Sequence, residues 1–305
     1  MADADKRAHY AHQIDDSRDD YWDPDFLALM ARRWQLTEVR RALDVGCGAG
    51  HWGQALLPLM ASDAVLHGVD PDDAWLEQAR QRASARQQSA RCTYLQGHVE
   101  TLPYEDAAFD LVTCQTLLMH VPDVGAALRE MVRVTKPGGL VAAVEPNNRS
   151  GFTVFDNVDT ELELEQRLAL YRFELFRQQG KQALGHGDDS VGDLLPMHFA
   201  QAGLAQMAVH LSDKAHAFVP PYHHETQREA HEATTVPMPW PREIAQRCFL
   251  AGGGSPAELE ATWALIESLH DQKLAAVRAG SLYRAGGIIC YLVSARKPAP
   301  EPAPH

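Results

Sequence analysis

Leu43-Asp44-Val45-Gly46-Cys47-Gly48-Ala49-Gly50 reads as a buried strand that empties into a glycine-rich turn, with a helix behind it. Glycine has no Cβ, so Gly46, Gly48 and Gly50 permit positive φ and let a ligand lie directly against backbone amides. Amides at a helix start carry partial positive charge, which suits a carboxylate or a phosphate. Spacing chooses between ligands. Dinucleotide-binding loops run G-x-G-x-x-G, whereas here the third glycine comes one position early and His51 follows it.

Outward from this loop the elements alternate in strand–helix order. His51 to Met60 is a helix candidate that Pro58 must shorten or kink. Val65-Leu66-His67-Gly68-Val69-Asp70 is a second strand ending in an acid, where a carboxylate can accept both hydroxyls of a ribose. Asp72 is placed to cap the next helix, with Leu76, Ala79 and Ala83 on one face. Cys92 to Leu95 is a short third strand, followed by the loop Gly97-His98-Val99-Glu100-Thr101-Leu102-Pro103. Phe109 to Cys114 is a fourth strand. Asp123 then caps a helix carrying Val124, Ala127, Leu128, Met131 and Val132. Lys136-Pro137-Gly138-Gly139 ends that helix and turns into a fifth strand, Leu140 to Glu145.

Taken together, residues 41–146 resemble the ubiquinone/menaquinone-type (type 11-like) branch of class I S-adenosylmethionine-dependent methyltransferases. The resemblance rests on the glycine loop, Asp70, the loop at 97–104, the strand Phe109-Asp110-Leu111-Val112 and the Lys-Pro-Gly-Gly turn. It implies an α/β, Rossmann-like fold with a seven-stranded, mostly parallel sheet in the order 3-2-1-4-5-7-6. Helices would cover both faces, and a helical lid would be formed by insertions. By the same resemblance, Gly46, Cys47, Gly48 and Gly50 are the backbone wall under the methionine and ribose portions of S-adenosyl-L-methionine. Asp44 is the acid that orients this loop and helps hold the methionine ammonium, and Asp70, next to Pro71, is the ribose acid. His98 and Val99 correspond to the adenine clamp, although the family often has aspartate where this chain has His98. A neutral imidazole still accepts through one nitrogen. Gln115 falls near the methionine end, or is a strand cap. Tyr10, Tyr21 and Trp22, ahead of a helix from Asp25 to Arg33, either line the cofactor site or anchor that helix.

Composition narrows the class. The 305 residues carry a formal net charge of −13, which disfavours nucleic acid as a partner. No apolar stretch reaches membrane-spanning length, and the polar, acidic first twenty residues do not read as a signal peptide. The five cysteines are odd in number and scattered, mostly in strands, as small core residues in a reducing, cytoplasmic compartment. His223, His224 and His231 lack metal-site spacing, so no metal is expected.

Beyond the fifth strand the chain is longer than a minimal fold of this type. The organisation reads as an N-terminal helical segment (1–40), the cofactor-binding core (41–146) and a helical insertion (147–189). The last core helix and sixth strand (190–212), a second helical insertion (213–285), the closing strand (286–297) and a disordered tail (298–305) follow. In the first insertion Asp159 to Gln179 is a helix candidate ended by Gly180. Leu164, Leu168, Tyr171 and Leu175 form one stripe on it, and Leu162, Ala169, Phe173 and Phe176 a neighbouring one. Ser190 caps a helix to Gln201. In the second insertion Ser255, Pro256 and Glu258 make a capping box, with Leu259, Trp263, Ile266, Leu274 and Val277 on the apolar side. The insertions read as a lid shaping an acceptor pocket, or as the face of a homodimer.

Methyl transfer needs an aligned, desolvated nucleophile, and a base only where the acceptor loses a proton. His120, ahead of Val121-Pro122 and so expected outside a helix, and Glu145 are the candidates. His120 alternatively packs or caps, and Glu145 alternatively binds lid backbone. The expected activity is methyl transfer to O, N or C of a small-molecule metabolite or natural product, leaving S-adenosyl-L-homocysteine. The alternatives are a protein- or peptide-directed methyltransferase and a non-catalytic binder of S-adenosylmethionine.

Overall fold

The computed structural model describes Arg18 and residues 21–150, 156–213, 215–222, 241–286 and 289–299. The chain divides into two compact units, each assembled from separated segments. One runs to Pro146 and takes up Ser190–Lys214 and the chain from Cys290. The other consists of Asn147–Asp189 and Ala215–Ile289.

The first unit is built on a sheet. Its strands are β1 (Arg41–Val45), β2 (Val65–Asp70), β3 (Cys92–Gln96), β4 (Phe109–Gln115), β5 (Thr135–Pro146) and β6 (Ala205–Leu211). Two short strands, β7 (His216–Phe218) and β8 (Arg284–Gly286), form a separate ribbon in the other unit, before the closing β9 (Cys290–Arg296). The sheet order is β3-β2-β1-β4-β5-β9-β6. Strands β3 through β5 pair in parallel, and β9 runs antiparallel to both β5 and β6. This is the expected order, with the closing strand ninth in the chain because the ribbon comes first.

Alternation along the strands splits the core between two faces. Leu43, Val45, Val112, Val141 and Val293 meet α4 (Val124–Val134) and α6 (Leu195–Gln201). Ala42, Leu111, Ala142 and Leu292 meet α1 (Pro24–Trp34) and α2 (His51–Leu56). The helix after β2, α3 (Asp73–Ala85), starts where expected: the Asp72 carboxylate accepts from the Ala74 amide at 2.9 Å, as Asp123 does from Ala126 at 2.8 Å. Pro58 has the foreseen effect, since α2 stops at Leu56 and Leu57–Leu59 tighten into a 3₁₀ turn.

Both departures of the chain from this unit begin and end close together. A Cβ on Gly192 would lie 2.6 Å from the Glu145 carbonyl oxygen and 2.8 Å from that of Pro146. The Ser212 amide donates to the Cys290 carbonyl at 3.0 Å. Ser190 does not start a regular helix. Val191–Leu194 form a 3₁₀ turn, and α6 begins only at Leu195, where Pro196 is tolerated in the first turn.

The second unit packs α5 (Leu164–Ala183), α7 (Arg242–Ala251) and α8 (Pro256–Arg278) around Phe173, Phe249 and Trp263. The Ser255 capping box is present, with the Ser255 amide donating to Glu258 at 3.1 Å and the Glu258 amide to the serine hydroxyl at 3.3 Å. Gly180 does not end α5, which runs on to Ala183. A Cβ there would sit 1.6 Å from the Cys248 carbonyl oxygen, and one on Gly252 would sit 1.9 Å from that of Phe176. The glycines serve backbone-to-backbone packing of α5 on α7, not termination. Beside them lies a buried ion cluster: Arg177 pairs with Glu174 and, at 2.9 Å, with Asp189, which also takes Lys181. Burial pushes the Asp189 carboxyl up, but Lys181 and Arg177 outweigh it and hold it below the usual range. No described helix is long and apolar enough to cross a membrane.

Candidate active site

The site forms where β1, β2, β4 and β5 end. Gly46, Gly48 and Gly50 take φ of +65°, +50° and +81°, the region where a Cβ is costly. The amides of Gly46 and Cys47 both donate to the Val69 carbonyl, at 2.7 and 3.0 Å, which folds the loop back onto β2. Asp70, at the tip of β2, receives the Gly48 amide on one carboxylate oxygen at 3.0 Å and the Asp72 amide on the other at 2.9 Å. The carboxylate is therefore locked beside the glycine loop with lone pairs to spare. Burial pushes its carboxyl up, the two amides and nearby His98 pull it down, and the net shift is upward.

Asp44 lies beneath the loop, 1 % exposed, and accepts the Gly53 amide at 2.9 Å, so it orients α2. Burial pushes its carboxyl up to about 7, the Gly53 amide opposing and Asp70 adding to the shift. Trp52 strengthens the same anchorage by donating its indole N–H to Thr113 at 2.9 Å. Since α2 has only six residues, positive potential at its start comes from individual amides more than from an extended dipole. Cys47 contributes backbone alone: its side chain is buried among Leu76, Ala79 and Tyr94.

Across the loop, Leu117 approaches Gly46 so closely that a Cβ there would lie 2.6 Å from its Cδ1. Glu145 sets that approach. Fully buried, it accepts the amides of Leu117, Leu118 and Met119 at 2.9, 2.7 and 3.3 Å. Glu145, expected as a base or as a ligand of lid backbone, is placed by these bonds against the turn that follows β4. The signal in the sequence, an acid at the end of a buried strand, does not distinguish the two tasks.

His120 closes that turn inside a one-turn 3₁₀ helix, Leu118–His120, and not outside a helix as expected. It is half-buried, as is Gln115 at the end of β4. His98 is exposed and pairs with Thr101 in an isolated bridge, whereas Val99 is buried. Pro71 is exposed, and its carbonyl takes the Gln96 side-chain amide at 2.8 Å, a brace the sequence reading overlooked. Tyr21 meets the Cys290 thiol at 3.1 Å, and burial followed by Cys290 raises its hydroxyl pKa. Arg18 donates to the Thr116 hydroxyl at 3.2 Å. Trp22 packs on Phe26 and Trp52, the anchoring role. Tyr10 lies outside the described residues, as do His223, His224 and His231. Among the described residues, no group of three or more His, Cys, Asp or Glu side chains is arranged to hold a metal.

Comparison with known proteins bears on this geometry directly. A family described as methyltransferase domain matches residues 43–143, the stretch that holds the glycine loop, Asp70 and the end of β4. Residues 43–143 are thus similar to a methyltransferase domain. A demethylmenaquinone methyltransferase of Geobacillus kaustophilus is 35 % identical over 121 residues, covering 40 % of this chain and 51 % of that protein. One from Staphylococcus aureus strain MRSA252 is 38 % identical over 105 residues, covering 34 % and 42 %. The chain thus spans about half the length of the curated relatives it matches. A crystal structure from Bacillus halodurans C-125, of a protein assigned as a methyltransferase, has the same fold at a TM-score of 0.53. It is 20 % identical and covers 90 % of this chain and 99 % of that one. Methyltransferase domains of this class use S-adenosylmethionine, and the arrangement fits that group. Three left-handed glycines clear the backbone, and a carboxylate fixed beside them suits a ribose diol.

Proposed function

We propose that the whole protein is an S-adenosylmethionine-dependent methyltransferase acting on a small molecule. The observation that carries this reading is Asp70 held by the Gly48 amide at the mouth of the glycine loop. S-adenosylmethionine supplies an electrophilic sulfonium methyl, which passes to O, N or C of an acceptor by in-line displacement. The residues of this chain bind and orient. Asp70 accepts the ribose hydroxyls, the amides of 46–50 wall the methionine end, and Asp44 faces the ammonium. His98 and Val99 flank the adenine. Glu145 acts through the turn at 117–119, as a positioning residue. His120 is the candidate base where the acceptor is a hydroxyl and must lose a proton. The names of the demethylmenaquinone methyltransferases support a small acceptor, and the net charge of −13 speaks against nucleic acid. Recognition of the acceptor falls, in this reading, to the inserted helical unit, and the compartment is the cytoplasm.

Calorimetric titration with S-adenosylmethionine and S-adenosylhomocysteine tests the proposal. Micromolar binding is expected, and Asp70→Ala should weaken it by roughly 2–3 kcal/mol through loss of charge-assisted hydroxyl contacts. A folded protein that binds neither ligand would sink it.

A further inference from the structure

The second unit carries an apolar seam on its surface. Leu164, Leu168, Tyr171 and Leu175 occupy one face of α5 and remain 66 %, 49 %, 39 % and 40 % exposed. Their spacing alternates four residues with three, the period of helices that wind around one another, and the seam runs for about 16 Å of helix axis. The opposite face is already engaged, through Phe173 and Phe176 on Phe249 and through Gly180 against α7. Exposed leucines scattered singly carry no message, but four apolar side chains in register on one helix mark a surface of association.

Charge beside the seam selects the occupant and its direction. Glu165 and Arg172 flank it on one side and Arg167 on the other. Arg172 lies over the Phe176 ring and pairs with Glu258 at 3.0 Å, yet its side chain stays 64 % exposed. In a parallel pair of such helices, Arg167 would oppose the partner's Arg172, like against like. In an antiparallel pair, Leu164 meets the partner's Leu175, Leu168 meets the partner's Tyr171, and Glu165 opposes the partner's Arg172. Twofold symmetry makes each of these contacts twice. We propose that α5 is the core of a homodimer interface, packed antiparallel on α5 of a second copy of this chain. The inference is independent of what the protein methylates.

Sedimentation velocity over the micromolar range tests it, with circular dichroism to verify folding. Wild type is expected to dimerise, and Leu168→Glu to raise the dissociation constant by about tenfold or more. Leu164→Glu, at the most exposed position of the seam, should act in the same way. Glu165→Arg and Arg172→Glu should each weaken the dimer, and the double charge reversal should recover it. A wild type that stays monomeric overturns the proposal, as does a dimer indifferent to both leucine substitutions. A double reversal no stronger than either single one overturns the antiparallel register.

Discussion

At the residue scale, the informative side chains are acids whose surroundings fix their work. Asp44 is buried, its carboxylate accepts the Gly53 amide, and burial with Asp70 beside it pushes its carboxyl up to about 7. In the free protein this raised pKa adds stability that is complete below the unfolded value and lost as pH climbs towards 7. Ligand binding has the opposite sense. An ammonium facing Asp44 favours the carboxylate, so affinity for S-adenosylhomocysteine should fall about tenfold from pH 8 to pH 6. Calorimetry at the two pH values checks this, and Asp44→Asn should flatten the profile. Asp70, also pushed up by burial, acts in the same sense. The glycine spacing and the two acids were legible in the sequence because each is read within a few residues of chain. The task of Glu145 was not, since the amides it accepts lie some 26 to 28 positions away.

At the scale of elements, local signals served best where the cause is local. Asp72, Asp123 and the Ser255 box start their helices as their chemistry dictates, and Pro58 ends α2 as a proline must, whereas the start expected at Ser190 gives only a 3₁₀ turn. Gly180 misled because a glycine late in an apolar period looks the same whether it ends a helix or admits a neighbour. The distinction lies in α7, some 70 residues on. Gly180→Ala would drive a methyl into the Cys248 carbonyl and separate the two helices, at a cost of about 3 kcal/mol. Thermal unfolding should register it as a clear fall in melting temperature. The two stripes on the inserted helix were likewise visible in the sequence, but periodicity cannot tell which one the fold covers. Packing buries Phe173 and leaves Leu164 and Leu168 outside.

At the scale of the whole molecule, strand order follows from the resemblance, while the grouping of distant segments does not. The sheet depends on its last strand: β9 lies between β5 and β6 and is the neighbour that holds β6 in the sheet. A chain ending at Ile289 should therefore expose β6 and one margin of β5. Limited proteolysis is expected to cut within 205–211 in that truncated chain and to spare the same strand in the full one.

The sheet takes little notice of what leaves it. Glu145, Pro146 and Gly192 lie together, and Ser212 is hydrogen-bonded to Cys290, so each excursion of the chain returns almost to the place it left. Segments anchored in this manner can lengthen, shorten or be exchanged between lineages without redrawing the strands that carry the glycine loop. A lineage could thus replace the inserted unit while inheriting the glycine loop and its acids intact.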